Sequence, residues 1–154
     1  MKHRVRVVLA LSAVTLAVAG PAAAARTPLP GILSPSGNIK CLFVPGKPTM
    51  LLCSIGQSEY AKRLQDRCMN PNGQAGAGVD WHGFELHPGQ KGRITCTGGI
   101  LYNAGTQRPA YVPLAYGKTW RHGAYACTSR ITGITCTTTG GHGLFISRRS
   151  WRAW

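Results

Sequence analysis

Apart from His3 near the N-terminus, the side chains able to exchange a proton near neutral pH are those of His82, His87, His122 and His142. An enzyme that cleaves phosphodiesters needs an acid and a base of this kind together with a cationic clamp. His122 and His142 could form the pair, with Lys118, Arg121 or Arg148 holding the phosphate. Gly141 and Gly143 flank His142, however, a setting that suits a turn histidine tying down a loop, and this plainer reading is preferred. His82 and His87 could share a metal ion, but no third ligand is evident, so no metal site is assigned.

Glycoside hydrolysis needs two carboxylates at a set separation. The chain has only four: Glu59, Asp66, Asp80 and Glu85. Glu59 and Asp66 fall on a candidate helix, where solvated charge is the simple explanation, and Glu85 can pair with a neighbouring arginine. There is no G-x-S-x-G nucleophile elbow. A phosphate loop and a dinucleotide glycine fingerprint are also missing, so no cofactor is expected.

The C-terminal segment SRRSWRAW interleaves Arg148, Arg149 and Arg152 with Trp151 and Trp154. Arginine with tryptophan can grip anionic polymers or lipid interfaces by charge and stacking. The simpler alternative is a closing strand whose aromatics pack inward while its arginines face water. Eighteen basic residues against four acids give a formal net charge of +14. Such a balance favours anionic partners. An anionic cell-envelope polymer or a protein partner is the expectation, with nucleic acid left open, because the basic residues are scattered and form no long run.

These side chains must be held by elements that the six cysteines define. Cys41, Cys53, Cys68, Cys96, Cys127 and Cys136 read as a disulfide framework, since no C-x-x-C pair or histidine pair has metal-finger spacing. Strand-like runs at 38–44 and 50–55 flank the turn signal PGKP. Cys41 and Cys53 are equidistant from Lys47 inside that turn and should face each other, as a disulfide requires. Pairing Cys127 with Cys136 sets Thr128 opposite Thr135 and Ser129 opposite Ile134, with a four-residue loop, Arg130 to Gly133, between them. Cys68 and Cys96 then pair by elimination. In the loop-entropy picture each bridge contributes about 3 kcal/mol.

Lys2, Arg4 and Arg6 precede an apolar run from Val7 to Ala19, and Ala23 and Ala25 offer small residues for cleavage. The chain is therefore expected to be secreted, extracellular or periplasmic, with residues 1–25 as signal peptide and no transmembrane segment after processing. Residues 26–34 read as an irregular, proline-rich lead-in and 35–154 as one disulfide-stapled β domain. Within it, Ser58 caps a short helix reaching Cys68, 70–78 is a flexible loop, and 93–97 is a strand. The proline-interrupted stretch 101–116 has no assigned element. Leu144 to Trp154 runs as a final strand, with Leu144, Ile146 and Arg148 on one face. The fold class is all-β, a small sandwich or barrel-like fold with one short helix.

Several stretches carry a family resemblance: SPSGNIKC at 34–41, LLCSI at 51–55, PLAYG at 113–117, CTSRITGITC at 127–136 and GHGLFISR at 141–148. With the order of the six cysteines, they resemble a family of small exported bacterial proteins, largely actinobacterial, classed as a domain of unknown function. The likeness covers nearly the whole exported part. It departs at Ala115, an insertion in PLAYG, and after Cys96, where Thr97, Gly98 and Gly99 replace an acidic position. The resemblance implies export, a β fold and local disulfides, and brings no activity with it. A non-enzymatic extracellular binding module is therefore the leading expectation, ahead of a nuclease-like hydrolase using His122 and His142 or an inhibitor of a secreted enzyme.

Overall fold

A computed structural model describes residues 25–69 and 79–154. The signal peptide expected over residues 1–25, but for Ala25, and the flexible loop expected over 70–78 lie outside the described residues.

Two sheets pack face to face. The first has strands β1 (Thr27–Leu33), β2 (Ile39–Val44), β3 (Met50–Ile55), β4 (Asp80–Leu86), β5 (Arg93–Thr97) and β6 (Gln107–Pro113). The second has β7 (Thr119–His122), β8 (Tyr125–Arg130), β9 (Gly133–Thr138), β10 (Gly143–Ile146) and β11 (Trp151–Ala153). Their orders are β5-β4-β3-β2-β1-β6 and β11-β10-β9-β8-β7. Neighbours are antiparallel apart from β1 and β6, which run parallel. Among the described residues there is one helix, α1 (Ala61–Met69), which buries Leu64 and Cys68. The fold is all-β with one short helix, as the sequence implied.

Period-two alternation builds the core. Tyr125, Cys127 and Ser129 on β8 and Ile134, Cys136 and Thr138 on β9 are buried, while the residues between them are not. Their counterparts on the first sheet include Cys41, Leu51, Cys53, Phe84 and Leu86. The disulfides Cys41–Cys53, Cys68–Cys96 and Cys127–Cys136 are all formed. Register sets Cys41 opposite Cys53 and Cys127 opposite Cys136, so each bridge staples one hairpin. The two staples meet in the middle of the sandwich, with Cys41 Sγ 4.0 Å from Cys136 Sγ.

Four expectations need correction. Residues 26–34 are no irregular lead-in, because Thr27–Leu33 is an interior strand between β2 and β6. Thr27 donates its N–H to Thr106 on the β6 side. Alternation therefore turns the N–H-less positions of Pro28 and Pro30 away from β6, and pairing with β2 begins only at Gly31. Leu144 to Trp154 is not one strand but the hairpin β10–β11, because the Ser147 hydroxyl accepts from Ser150 N–H and closes a turn. That turn sends Arg148 away from the face of Leu144 and Ile146. The 127–136 loop is shorter than expected: Arg130 pairs with Gly133, leaving Ile131 and Thr132 as the turn. Finally, the helix begins at Ala61, with Leu64 N–H bonded to Tyr60 C=O, so Tyr60 and not Ser58 stands at the cap position.

Candidate functional site

The hairpin ends make the site. At the end of the sandwich where β2 starts, β3 stops and β8 turns into β9, a cleft of about 780 Å³ opens. Its floor includes Ile39 and Ile134, both buried. Its rim is drawn from separate turns, each fixed by local bonds.

The first rim segment is the 34–38 loop. Ser34 Oγ accepts from Ile39 N–H at 3.0 Å, and Gly37, at φ 72°, takes the left-handed conformation that closes the loop. Asn38 then bridges to the end of β3. Its amide donates to Gln57 C=O at 3.0 Å and accepts from Gln57 N–H at 2.7 Å. This reciprocal pair locks the loop to the residues that follow β3; Lys40 is among the lining residues, and its ammonium lies 5.9 Å from the centre of the Tyr111 ring, which is outside the lining.

The second segment is the β8–β9 turn. Arg130 and Thr132 line the cleft, and the Ile131 side chain at the tip is 86% exposed. Gly133 has φ 142°, and a Cβ there would come within 2.3 Å of Ile146 C=O, so no other residue fits without displacing β10. The third is the turn 115–118. Gly117 donates to Ser129 C=O and Lys118 N–H to Ala115 C=O, presenting Tyr116 with 48% of its surface exposed.

The fourth is the 147–150 turn, which holds Arg148 beside the cleft. It is anchored from beneath by Tyr60, whose phenol donates to Ser147 C=O at 3.0 Å, and by Glu59 N–H, which donates to Arg148 C=O at 2.9 Å. Tyr60 is only 2% exposed. Burial pushes its phenol up to about 12. It therefore stays neutral, and a donor, throughout the physiological range.

Electrostatically the lining is one-sided. Lys40, Arg130 and Arg148 are the charged residues of the lining, among serine, threonine, asparagine and glutamine, and none of the lining residues is a carboxylate or a histidine. Such a cavity stabilises negative charge and presents hydroxyls and amides to a polar ligand.

Of the residues singled out from sequence, only Arg148 enters this cleft. Trp151 packs inward against Phe84, ring centres 4.9 Å apart, while Arg152 lies over the Trp154 ring at 5.2 Å on the outer surface. Arg149 is exposed at the turn. The arginine–tryptophan segment is thus divided among three environments. Lys40, Asn38, Tyr116 and Arg130 were missed, although each sits inside a stretch that carried the resemblance.

The histidines lie elsewhere. His122 faces Tyr125, Tyr125 faces Thr138, and Thr138 N–H bonds to His142 C=O. That row separates the two histidines by three strand spacings, roughly 14 Å between backbones, so the structure does not bring them together as an acid–base pair. His122 instead packs on Phe43 at 4.4 Å and stacks on Trp120 at 5.6 Å. His87 Nδ1 lies 3.2 Å from Thr49 C=O and its Nε2 3.8 Å from Glu85, which also takes a bond from Arg93. Asp80 accepts from Gln65, Asp66 pairs with Lys62, and His82 is exposed on β4. Three sulfurs, of Cys41, Cys53 and Cys136, lie within 4.8 Å of one another, but all three are committed to disulfides. Among the described residues no helix is long and apolar enough to cross a membrane.

Comparison with protein families matches residues 10–152 to a family of unknown function, DUF6636. No curated protein and no solved structure matches.

Proposed function

This chain belongs to the family of unknown function DUF6636, and on that premise we propose a secreted, non-enzymatic binding module that takes an anionic ligand in the cleft between its hairpin ends. The observation that carries the reading is the composition of the lining: three cations from three separate elements, and none of the four carboxylates. A catalytic site for hydrolysis would need a group able to exchange protons near pH 7 in contact with the ligand. Arginine and lysine do not supply one, so the lining supports binding over turnover. Secretion is supported by the apolar, cation-headed N-terminus and by three disulfides, which persist in oxidising compartments.

The cleft is also pre-formed. Asn38, Gly133, Tyr60 and the Gly117 turn fix its rim by bonds within the protein, so a ligand need not order it, and less affinity is lost on binding. The test is retention of the mature, disulfide-intact chain on a polyanion resin at low salt, with elution by moderate salt. The variant Arg130→Gln/Arg148→Gln is expected to elute much earlier with an unchanged melting temperature. Equal retention of variant and parent would overturn the reading.

A further inference from the structure

The cleft does not end at its rim. Arg130 lines it and is also the last residue of β8, on the outer face of the five-stranded sheet. From that residue a second surface continues. Alternation that buries Cys127 and Cys136 turns Thr128 and Thr135 outward, and the register sets Thr119, Thr128, Thr135, Phe145 and Arg152 side by side across all five strands. Thr119 and Thr128 hydroxyls are 2.8 Å apart, which confirms that they share a face. Arg121, outward on β7, and Arg152, outward on β11, stand at opposite edges of this sheet. The strands of the sheet contain no Asp or Glu.

We propose that this outer face is the continuation of the binding site and that its occupant is an acidic polysaccharide chain, laid across the five strands from edge to edge and passing the cleft mouth at Arg130. The inference rests on the anionic reading of the cleft and specifies the ligand. Four strand spacings, roughly 19 Å, separate the edge arginines. A small anion in the cleft cannot reach them, whereas a polymer with repeated charges contacts Arg130, Arg121 and Arg152 together. Between these cations lie threonine hydroxyls, which exchange hydrogen bonds with sugar hydroxyls. Single-stranded nucleic acid would call for aromatic platforms spaced along the track. Here the aromatics are confined to the β10–β11 edge, and the Trp154 ring is already covered by Arg152.

The experiment uses the mature, disulfide-intact chain with three probes in matched low-salt buffer: polygalacturonate, trigalacturonate and single-stranded DNA of equal charge. Two variants are compared with the parent, Arg121→Gln/Arg152→Gln on the face and Arg148→Gln at the cleft. Polygalacturonate is expected to bind the face variant about tenfold or more weakly, and trigalacturonate to bind it as it binds the parent. Arg148→Gln weakens both. A face variant that keeps full affinity for polygalacturonate while Arg148→Gln loses it overturns the extension and leaves the cleft reading standing. No binding of either galacturonate by the parent overturns both. Tighter binding of DNA than of polygalacturonate overturns the choice of a polysaccharide.

Discussion

At one end of the sandwich Lys40, Arg130 and Arg148 surround an open cleft. At the other, Phe43, Thr49, His87, His122 and Tyr125 close on one another. Tyr125 donates to Thr49 C=O at 2.8 Å, His87 Nδ1 lies 3.2 Å from the same carbonyl, and the Phe43 and His122 rings meet at 4.4 Å. Both ends are made by the same two stapled hairpins, β2–β3 and β8–β9, whose strands run from one to the other. The difference lies in what the connecting turns bring. The histidine end has the groups that enzymes use, but spends them on packing and on backbone carbonyls. Among the described residues, the cleft lining holds no histidine or carboxylate, and Lys40, Arg130 and Arg148 form no salt bridge with one. Reactive residue types therefore gather at the packed end, and ordinary turn residues line the end proposed to bind a ligand.

The largest expected effect tests whether the cleft end is the more tightly constructed. Gly133→Ala must hold an alanine at φ 142° with its Cβ against Ile146 C=O. The strain and the displaced strand should lower stability by about 3 kcal/mol. Gly123→Ala is the matching change at the histidine end: φ is 52° and nothing lies within 4 Å of the added carbon. It should cost about 1 kcal/mol. Chemical denaturation of both variants decides the point, and equal losses would break the contrast.

How much of this was legible in the sequence follows from how far apart the cooperating residues are. The two stapled hairpins were readable because a disulfide and a turn within a dozen residues dictate register by themselves. The Cys127–Cys136 pairing even placed Thr128 opposite Thr135 correctly. β1 was not readable, since Pro28 and Pro30 argue locally against a strand. Only the distant pairing with β6 shows that their missing N–H groups fall where no partner is required. The β10–β11 turn carries neither glycine nor proline and is closed by serine side chains, so the arginine–tryptophan segment looked continuous. The cleft joins turns near residues 36, 56, 116, 132 and 148, and no spacing rule connects them. The only local trace was that the family-like stretches supply most of its wall.

A change of about 1 kcal/mol sharpens the comparison through two phenols with similar roles. Tyr60 supports the cleft turn through Ser147, and Tyr125 supports the histidine end through Thr49. Tyr60→Phe removes the bond to Ser147 C=O, Tyr125→Phe removes the bond to Thr49 C=O and the contact with the Thr49 hydroxyl, and each should cost about 1 kcal/mol. Only Tyr60→Phe should also weaken anion binding, because only it loosens the turn that carries Arg148. The two also share a pH response. Burial raises the Tyr60 phenol to about 12 from its ordinary value of 10.0. It raises Tyr125 as well, against the hydrogen bond to Thr49. A group raised in the folded state contributes fully below its unfolded value and loses that contribution as pH climbs through the folded one. Stability should therefore hold up to about pH 10 and fall between 10 and 12, and Tyr60→Phe should flatten that fall. An alkaline melting series on parent and variant reads it directly.

The smallest expected effect is the one that bears most directly on catalysis. Among the described residues, His142 is tied into its turn through its backbone carbonyl, which accepts from Thr138 N–H and, at 3.4 Å, from the Thr138 hydroxyl. Those bonds survive truncation of the side chain. His142→Ala should thus change stability by no more than about 0.5 kcal/mol, the usual range for a surface substitution away from a special contact. Anion affinity should not change, because the cleft lies at the opposite end of β9. A hydrolase built on His122 and His142 requires the contrary: loss of turnover with the fold intact. Assaying phosphodiester cleavage alongside the melting curve separates these outcomes, and activity that disappears in His142→Ala would move the functional end of the molecule from the cleft to the histidines.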